Sequence, residues 1–323
     1  MKYVELGGSG LKVSAIALGT WQFGSGSWGY GKTYSMADCV EAVKASVEAG
    51  VNLIDTAEVY GGGLSEEIVG KALKEVGDEV YIATKVSPAH LAYNGVIKAC
   101  ERSLRRLGVK TIDLYQIHFP NPLIPLKQTM KAMEDLVKMG RIRCIGVSNF
   151  STNLLQKARE FLKSEDVVSN QVKYNLIERK IEKDLMPYCV REKIAILAYS
   201  PLAQGILTGK YSRQNRPRDI IRRVNRLYTN AYISRVEPLL KELDNLARGR
   251  NVTMGQAALA WVTGHQGCVA IAGAKNRQQA LENAYAGNVV LSQEEVEKLS
   301  QISDKVKPTP LDLLRVVSRI FKP

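Results

Sequence analysis

Short apolar runs alternate with amphipathic stretches along most of this chain. Each run has the length of a β-strand, and the stretch after it has apolar residues at three- and four-residue spacing, as in a helix with one buried face. The predicted strands are Ala15–Leu18, Val51–Ile54, Val80–Ala83, Ile112–Ile117, Arg143–Val147, Val167–Gln171, Ile194–Ala198 and Cys268–Ile271. The predicted helices between them include Ala37–Glu48, Ser65–Val76, Gly95–Leu107, Leu126–Met139, Thr152–Leu162 and Glu182–Glu192.

Strands that alternate with helices form a parallel sheet, and eight such units are the number that closes a barrel. The sequence therefore predicts an α/β fold, a (β/α)8 TIM barrel, and an open doubly wound sheet is the alternative. Tyr3–Leu6 and Leu11–Val13 flank a glycine-rich turn and predict an N-terminal β-hairpin. The stretch after strand 7 is too long for one crossover, so we expect an extended loop there, at 201–229, before helices at Ala231–Arg248 and Met254–Thr263.

Composition narrows the class of protein. With 323 residues, 45% hydrophobic and 24% charged, the chain is an ordinary globular one, and no linker interrupts it, so we expect a single domain over residues 1–323. No window approaches the ~18 consecutive apolar residues of a membrane span, and the N-terminus lacks the apolar core of a signal peptide. The five cysteines are scattered and form no Cys-x-x-Cys pair. We therefore expect a cytoplasmic protein with reduced thiols and no membrane partner.

Positive charge is concentrated in one segment. The net charge is +13, and the segment 210–226, here called the basic insert, contains a single acid, Asp219. Its cations are Lys210, Arg213, Arg216, Arg218, Arg222, Arg223 and Arg226. Such a segment is either a solvated loop or a contact for a phosphate-bearing small molecule. We expect no nucleic-acid partner, because no aromatic-interleaved RNA signature or zinc finger accompanies it.

Polar residues follow nearly every predicted strand, where TIM barrels build their active sites. They are Gly19-Thr20-Trp21, Asp55-Thr56-Ala57, Thr84-Lys85, His118, Ser148-Asn149, Gln171, Tyr199-Ser200 and Gly273-Ala274-Lys275. Each has an ordinary structural interpretation alone, such as a helix cap for Asp55 or a solvated Lys85. Together on one rim they suggest catalysis.

Asp55, Tyr60, Lys85 and His118 suit carbonyl reduction. The pKa of a tyrosine is ~10, and an ammonium held by a carboxylate favours the phenolate, so we expect Asp55 and Lys85 to adjust the proton affinity of Tyr60. A neutral imidazole at His118 could hydrogen-bond the substrate oxygen.

The motifs around these residues resemble the aldo-keto reductase superfamily from about residue 3 to residue 300. The matching segments are Gly19-Thr20-Trp21, Asp55-Thr56-Ala57-Glu58-Val59-Tyr60-Gly61, Thr84-Lys85, Gln116-Ile117-His118, Gly146-Val147-Ser148-Asn149-Phe150, Gln171 and Tyr199-Ser200-Pro201-Leu202-Ala203-Gln204-Gly205. The resemblance implies a catalytic tetrad of Asp55, Tyr60, Lys85 and His118, with Tyr60 as the general acid and His118 placing the carbonyl. It also implies NAD(P)H bound without a Rossmann domain.

The resemblance further implies which residues contact the cofactor. Ser148, Asn149 and Gln171 would hold the nicotinamide carboxamide, and Tyr199 would stack on the ring. The pyrophosphate would lie near Ser200, Leu202 and Gly205, and the adenosine end near Gly273, Ala274, Lys275, Gln279 and Asn283. We also assign Thr20, Trp21 and Lys210 to this site.

The cofactor preference follows from the adenosine end. Gly273 and Gln279 stand where the best-known branch of the family often has Lys and Arg. Lys275 and Arg277 could still bind a 2′-phosphate, so we expect NADPH, with NADH as the less favoured cofactor.

The substrate would be a small aldehyde or ketone in a pocket lined by Trp21, Trp28 and Tyr30. No metal site is expected, because the three histidines are far apart in the sequence. The alternative function is a non-catalytic, nicotinamide-binding subunit similar to potassium channel β subunits. Those subunits typically have Asn in place of the tetrad histidine, whereas this chain has His118.

Two motifs of other dehydrogenases occur in the wrong context. Gly24-Ser25-Gly26-Ser27-Trp28-Gly29 has dinucleotide-binding spacing but does not join a strand directly to a helix, so we expect a flexible substrate-side loop. Tyr81 and Lys85 match a Tyr-x-x-x-Lys motif that requires a helix. On a predicted strand they would lie ~13 Å apart, too far to share a proton.

Overall fold

The computed structural model describes residues 1–77, 80–309 and 311–312. Its strands are β1 (Tyr3–Glu5), β2 (Lys12–Ser14), β3 (Ile16–Gly19), β4 (Leu53–Asp55), β5 (Tyr81–Val86), β6 (Ile112–Ile117), β7 (Ile142–Ser148), β8 (Val167–Lys173), β9 (Ala195–Tyr199) and β10 (Cys268–Gly273). Strands β3 to β10 pair in parallel in chain order, and β10 pairs with both β9 and β3. The sheet is therefore a closed barrel, and the open doubly wound alternative is wrong.

The N-terminal hairpin closes one end of the barrel. Strands β1 and β2 are antiparallel, as predicted. Leu6 and Val13 are fully buried against side chains of the barrel strands, among them Leu53 and Leu114. Since the hairpin occupies the end where the strands begin, the other end is left for a ligand.

Helices surround the barrel. They are α1 (Met36–Glu48), α2 (Leu64–Val76), α3 (Tyr93–Leu107), α4 (Leu126–Lys138), α5 (Thr152–Glu160), α6 (Leu185–Arg191), α7 (Ile220–Arg223), α8 (Asn230–Gly249), α9 (Met254–Thr263), α10 (Arg277–Tyr285) and α11 (Gln293–Asp304). Local signals account for several of their ends. Helix α1 begins at a capping box of Ser35 and Asp38, and α3 ends at Gly108, whose φ of 70° suits glycine.

The segment after β9 is less irregular than predicted. It contains 3-10 helices at Ala203–Thr208 and Arg226–Tyr228, with α7 between them. Gln204 organises it: its carbonyl accepts from Arg222 Nε (2.6 Å) and Tyr228 Oη (2.9 Å), and its side-chain oxygen accepts from Asn225 Nδ2 (2.6 Å). The basic insert is thus packed onto the segment that follows β9.

Within the described ranges, no helix is both long enough and apolar enough to cross a membrane. The single-domain organisation and the cytoplasmic location stay predictions.

Candidate active site

A cavity of about 1050 Å³ opens at the carboxyl ends of the barrel strands. Its inner part is lined by Asp55, Tyr60, His118, Ser148, Asn149, Gln171 and Tyr199. It extends to a second part lined by Ser200, Leu202, Gly205, Lys210, Arg222, Gly273, Lys275, Gln279 and Asn283. Its volume is at the upper end of ordinary ligand pockets, so it suits an extended ligand.

Three of the four predicted catalytic residues are in direct contact. Asp55 ends β4, Lys85 lies near the end of β5, and Tyr60 begins the 3-10 helix Tyr60–Gly63. Lys85 Nζ lies 2.6 Å from Asp55 Oδ1 and 3.3 Å from Tyr60 Oη, and it also donates to the Thr56 carbonyl at 2.7 Å. The ammonium is therefore fully buried but completely partnered.

The loop that holds Tyr60 needs glycine. Gly61 and Gly62 have φ of 58° and 68°, in the left-handed region. A Cβ on Gly61 would lie 3.0 Å from the Phe23 carbonyl oxygen and from the Gly24 carbonyl carbon. The turn can therefore pack against the 23–24 backbone only with glycine at 61.

Burial outweighs the predicted effect of Lys85 on the proton affinity of Tyr60. Burial raises the pKa of the Tyr60 hydroxyl above its usual value, although the nearby Lys85 charge lowers it. For Lys85, burial alone would lower the pKa, but Asp55 and Tyr60 raise it above its usual value. The pair thus consists of a neutral phenol beside a stable ammonium, which is the state a proton donor requires.

His118 follows β6 and lies beside Tyr60, with ring centroids 5.6 Å apart in an edge-to-face arrangement. Burial and the Lys85 charge lower the pKa of His118 to about 3. The imidazole is neutral at physiological pH and can serve as a hydrogen-bond donor to a carbonyl oxygen without adding charge.

Asp55 has two further partners. Its Oδ2 accepts from Gln171 Nε2 at 2.7 Å and from Gln116 Nε2 at 3.2 Å. Gln116 is fully buried and is not among the predicted site residues. It could have been found, because it is a polar residue inside an apolar strand and, two positions before His118, faces the barrel interior.

The predicted carboxamide residues form one hydrogen-bonded group. Asn149 Nδ2 donates to the His118 carbonyl (3.1 Å) and to Ser148 Oγ (2.9 Å), while Tyr199 Oη donates to Asn149 Oδ1 (3.0 Å). Ser148 Oγ donates in turn to the Gln171 carbonyl at 2.9 Å. These contacts fix the side chains at the inner end of the cavity.

The remaining assigned residues divide into those that reach the cavity and those that do not. Thr20 and Trp21 line it, although the Thr20 hydroxyl bonds to the Asp55 carbonyl at 3.0 Å. Ala274 and Tyr30 are outside the set of described residues that line it. Ala274 is buried, with its carbonyl accepting from Gln22 Nε2, and Tyr30 packs against Tyr34.

A cluster around Trp28 borders the middle of the cavity. The Trp28 ring has the Arg222 guanidinium 4.9 Å from its centroid and the Lys275 ammonium 5.4 Å away, and Lys275 Nζ donates to the Trp28 carbonyl at 2.6 Å. Burial and the Arg222 charge lower the pKa of Lys275. The Trp28 indole N–H has no hydrogen-bond partner in the described part of the chain. Two cations and a free donor together suit an anionic ligand.

Arg277 lies elsewhere. Its guanidinium pairs with Glu48 at 2.8 Å, on α1, and the residue is not among those described as lining the cavity. Arg222 and the apolar residues Val59 and Phe119, which do line it, were not predicted as site residues.

Comparison with known proteins agrees with this geometry. Residues 15–304 match the model of the Aldo/keto reductase family. The chain belongs to this family. It is accordingly an NAD(P)H-dependent oxidoreductase that acts on carbonyl groups.

Three relatives illustrate the similarity. An uncharacterized oxidoreductase of Mycobacterium tuberculosis is 43% identical over 309 residues, which cover 95% of this chain and 94% of that protein. Aldo-keto reductase YhdN of Bacillus subtilis is 35% identical over 292 residues, 86% of each protein. The structure of an aldo-keto reductase from Klebsiella pneumoniae in complex with NADPH has a TM-score of 0.77 and 33% identity, and the match covers 96% of this chain and 97% of that one. Potassium channel β subunits also occur among the relatives, but at lower identity, so the regulatory-subunit alternative is not favoured.

Proposed function

We propose that this aldo-keto reductase uses NADPH to reduce an aldehyde or ketone reversibly to an alcohol, with Tyr60 as the proton donor. The observation that carries the proposal is the contact of one buried ammonium, Lys85 Nζ, with both Asp55 Oδ1 (2.6 Å) and Tyr60 Oη (3.3 Å). A phenol next to a fixed cation can lose its proton during the reaction, because the cation stabilises the phenolate as it forms.

The cavity residues fit the cofactor. The unpartnered Trp28 N–H and the cations Lys210, Arg222 and Lys275 provide donors and positive charge for phosphate groups. Gly205 lines the cavity with a φ of 100°, a conformation that favours glycine. A Cβ at this position would meet Tyr211 at 3.4 Å and Arg222 at 3.6 Å. The inner end, with Ser148, Asn149, Gln171 and Tyr199, would hold the nicotinamide. The NADPH complex of the Klebsiella pneumoniae relative supports the same cofactor here.

When bound, NADPH would supply a hydride to the carbonyl carbon of the substrate. The chain's own residues do the rest. His118 donates a hydrogen bond that orients the carbonyl oxygen, and Tyr60 Oη gives its proton to that oxygen. Lys85 compensates the charge left on Tyr60, and Asp55 keeps Lys85 protonated. The steps run backwards for alcohol oxidation.

Apolar side chains also line the cavity, two of them beside catalytic residues: Val59 precedes Tyr60, and Phe119 stacks on His118. Trp21, Val59 and Phe119 are 43%, 46% and 44% exposed and line the cavity. They could shield a small carbonyl substrate from water. Of the three residues predicted for substrate contact, Trp21 lines the cavity and packs edge-to-face on Trp28, with ring centroids 5.1 Å apart, and Trp28 also lies next to the cations.

The test is NADPH oxidation across a panel of aldehydes, ketones and sugars by the wild type and by Tyr60→Phe. Tyr60→Phe removes the proton donor and little binding surface, so we expect turnover to fall at least ~100-fold with NADPH affinity nearly unchanged. Tyr81→Phe is the matched control, because Tyr81 begins β5 and packs with the hairpin end of the core. Near-normal turnover in Tyr60→Phe, combined with loss in Tyr81→Phe, would refute the assignment of the acid.

A further inference from the structure

Gln116 connects the predicted cofactor contact Gln171 to the proton-donor group. Gln116 lies on β6 and pairs in register with Lys85 on β5. It is completely buried, and its Nε2 donates to Asp55 Oδ2 at 3.2 Å. Its Oε1 accepts from Gln171 Nε2 at 3.2 Å. One side chain therefore contacts both the carboxylate that holds Lys85 and the amide that lines the cavity.

These contacts determine which way the Gln171 amide points. An amide NH2 has two hydrogens, and both are used here, one by Asp55 Oδ2 at 2.7 Å and one by Gln116 Oε1. None of the described residues donates to Gln171 Oε1. Because Gln171 lines the cavity, the atom it offers to a ligand is an acceptor.

The Asn149 amide also offers a hydrogen-bond acceptor to the cavity. Both hydrogens of its Nδ2 are used, by the His118 carbonyl and Ser148 Oγ. Its Oδ1 accepts one bond, from Tyr199 Oη, and has a second lone pair. The inner end of the cavity thus presents two amide oxygens, on Gln171 and Asn149, which suit a ligand group with two N–H donors.

We propose that Gln116 is a positioning residue that locks Gln171 with its oxygen toward the cavity, so that the site reads the NH2 of the nicotinamide carboxamide. The inference rests on the proposed function, because it takes the inner end of the cavity as the nicotinamide site. Without Gln116, the Gln171 amide keeps only its bond to Asp55 Oδ2, so the direction of its oxygen is no longer fixed by two acceptors. Because Gln171 and Gln116 both donate to Asp55, which holds Lys85, the residues that would bind the carboxamide are connected by hydrogen bonds to the proton-donor group.

The experiment compares NADPH with its reduced 3-acetylpyridine analogue, in which a methyl group replaces the carboxamide NH2. Dissociation constants are measured by fluorescence titration without a carbonyl substrate. The wild type should bind NADPH roughly 5- to 30-fold more tightly than the analogue, the size expected for one or two hydrogen bonds. Gln116→Met, which keeps the length of the side chain but removes both polar atoms, should reduce that ratio to within about twofold.

Two further variants separate orientation from general damage. In Gln116→Glu the new carboxyl lies against the Asp55 carboxylate and should therefore carry a proton; it can then donate to Asp55 Oδ2 and still accept from Gln171 Nε2, so the ratio should return toward the wild-type value. Tyr115→Phe is the matched control on the same strand: the Tyr115 hydroxyl is buried and has no hydrogen-bond partner among the described residues, so the ratio should not change.

The outcomes distinguish the inference from the proposed function. If the wild type binds neither cofactor, the proposed function fails. The inference fails, while the proposed function stands, if the wild type binds NADPH and the analogue with equal affinity. It also fails if Gln116→Met keeps the wild-type ratio of the two dissociation constants. Should Gln116→Met not fold, the smaller Gln116→Ala, which also removes the acceptor, decides: a kept preference in that variant would overturn the inference, and a lost preference would support it.

Discussion

Burial sets the protonation states of the residues at the inner end of the cavity. Tyr60 and His118 lie beside the Lys85 ammonium, and both are held neutral. Burial raises the pKa of Tyr60 and, together with the Lys85 charge, lowers the pKa of His118 to about 3. One cation, Lys85, thus remains next to a phenol and an imidazole that are both uncharged. The site is prepared for proton donation before any substrate arrives.

The neutral state of His118 predicts the pH dependence of the reaction. Since the pKa of His118 is about 3, the imidazole does not titrate between pH 5 and 8. We expect the plot of log kcat/KM for carbonyl reduction against pH to show no step near ~6.5, the usual histidine value. A step there that disappears in His118→Asn would contradict the burial of the imidazole.

The pH dependence of the free energy of unfolding reports the protonation of His118 independently of activity. The unfolded chain binds a proton at His118 near pH ~6.5 and the folded chain does not, so this residue makes the free energy of unfolding fall as pH drops from ~6.5 toward 3. Denaturant titrations over this range should show a shallower decline for His118→Asn than for the wild type. Parallel curves would show that His118 is protonated equally in both states.

The sequence indicated the catalytic residues but not their full environment. Asp55 and Lys85 follow or end apolar runs, and the ends of parallel strands meet on one rim, so their proximity could be predicted. The pKa of Tyr60 could not, because its direction depends on how little water surrounds the hydroxyl. The polarity of Gln116 within an apolar strand indicates an inward-facing position, but its role comes from partners on other strands and cannot be predicted from the sequence.

At the scale of elements, three segments converge on Trp28. The 3-10 helix Gly26–Trp28 supplies the ring, α7 supplies Arg222, and the turn after β10 supplies Lys275. Each segment follows a different barrel strand, so the cluster joins three strand ends beside the cavity. Sequence motifs indicated these segments separately and gave no sign of the contact.

The Lys275 ammonium is expected to read the 2′-phosphate. Lys275 lines the cavity, whereas Arg277 pairs with Glu48 outside it, so the two cations next to each other in the sequence should differ. We expect Lys275→Ala to weaken NADPH binding roughly tenfold more than NADH binding, because the 2′-phosphate would lose a charge-assisted hydrogen bond. Fluorescence titrations with both cofactors measure this.

Arg277→Ala is the control for charge alone. It removes the same formal charge but should change neither affinity by more than about twofold, since an exposed ion pair contributes little. If Lys275→Ala weakens both cofactors equally, Lys275 acts only through Trp28 and does not read the 2′-phosphate.

Element boundaries show where local patterns stop being informative. The predicted helix at Glu182–Glu192 is in fact a 3-10 helix, Lys180–Lys183, followed by α6, with Asp184 at φ −140° between them. Helices α10 and α11 were not predicted. The first part of the extended loop contains Gln204 with a positive φ of 56°, and this conformation depends on Arg222 and Asn225, which arrive about twenty residues later. A pattern read within one short window cannot include such partners.

At the scale of the whole molecule, the most concentrated positive charge lies in the basic insert beside the cavity. The basic insert borders the cavity: Lys210 and Arg222 line it, while Arg213, Arg218 and Arg223 are exposed. The insert therefore has two cations that can contact a bound anion and several that a protease can reach. This division makes closure of the insert over a bound cofactor testable by proteolysis.

We expect the basic insert to close over bound NADPH, because it follows the Ser200–Gly205 segment and carries its charge beside the predicted phosphate site. Trypsin should cleave after Arg213 and Arg218 quickly in the free protein and slowly at saturating NADPH. Raising the ionic strength should weaken the protection, since exposed charges are screened over ~8 Å in physiological salt.

Arg222→Ala should lose most of the protection, because it removes the contact with Trp28, whereas the neighbouring exposed Arg223→Ala should keep it. Equal cleavage rates with and without NADPH at two salt concentrations would show that the insert is a solvated loop, and equal protection in both variants would show that Arg222 is not what holds it closed.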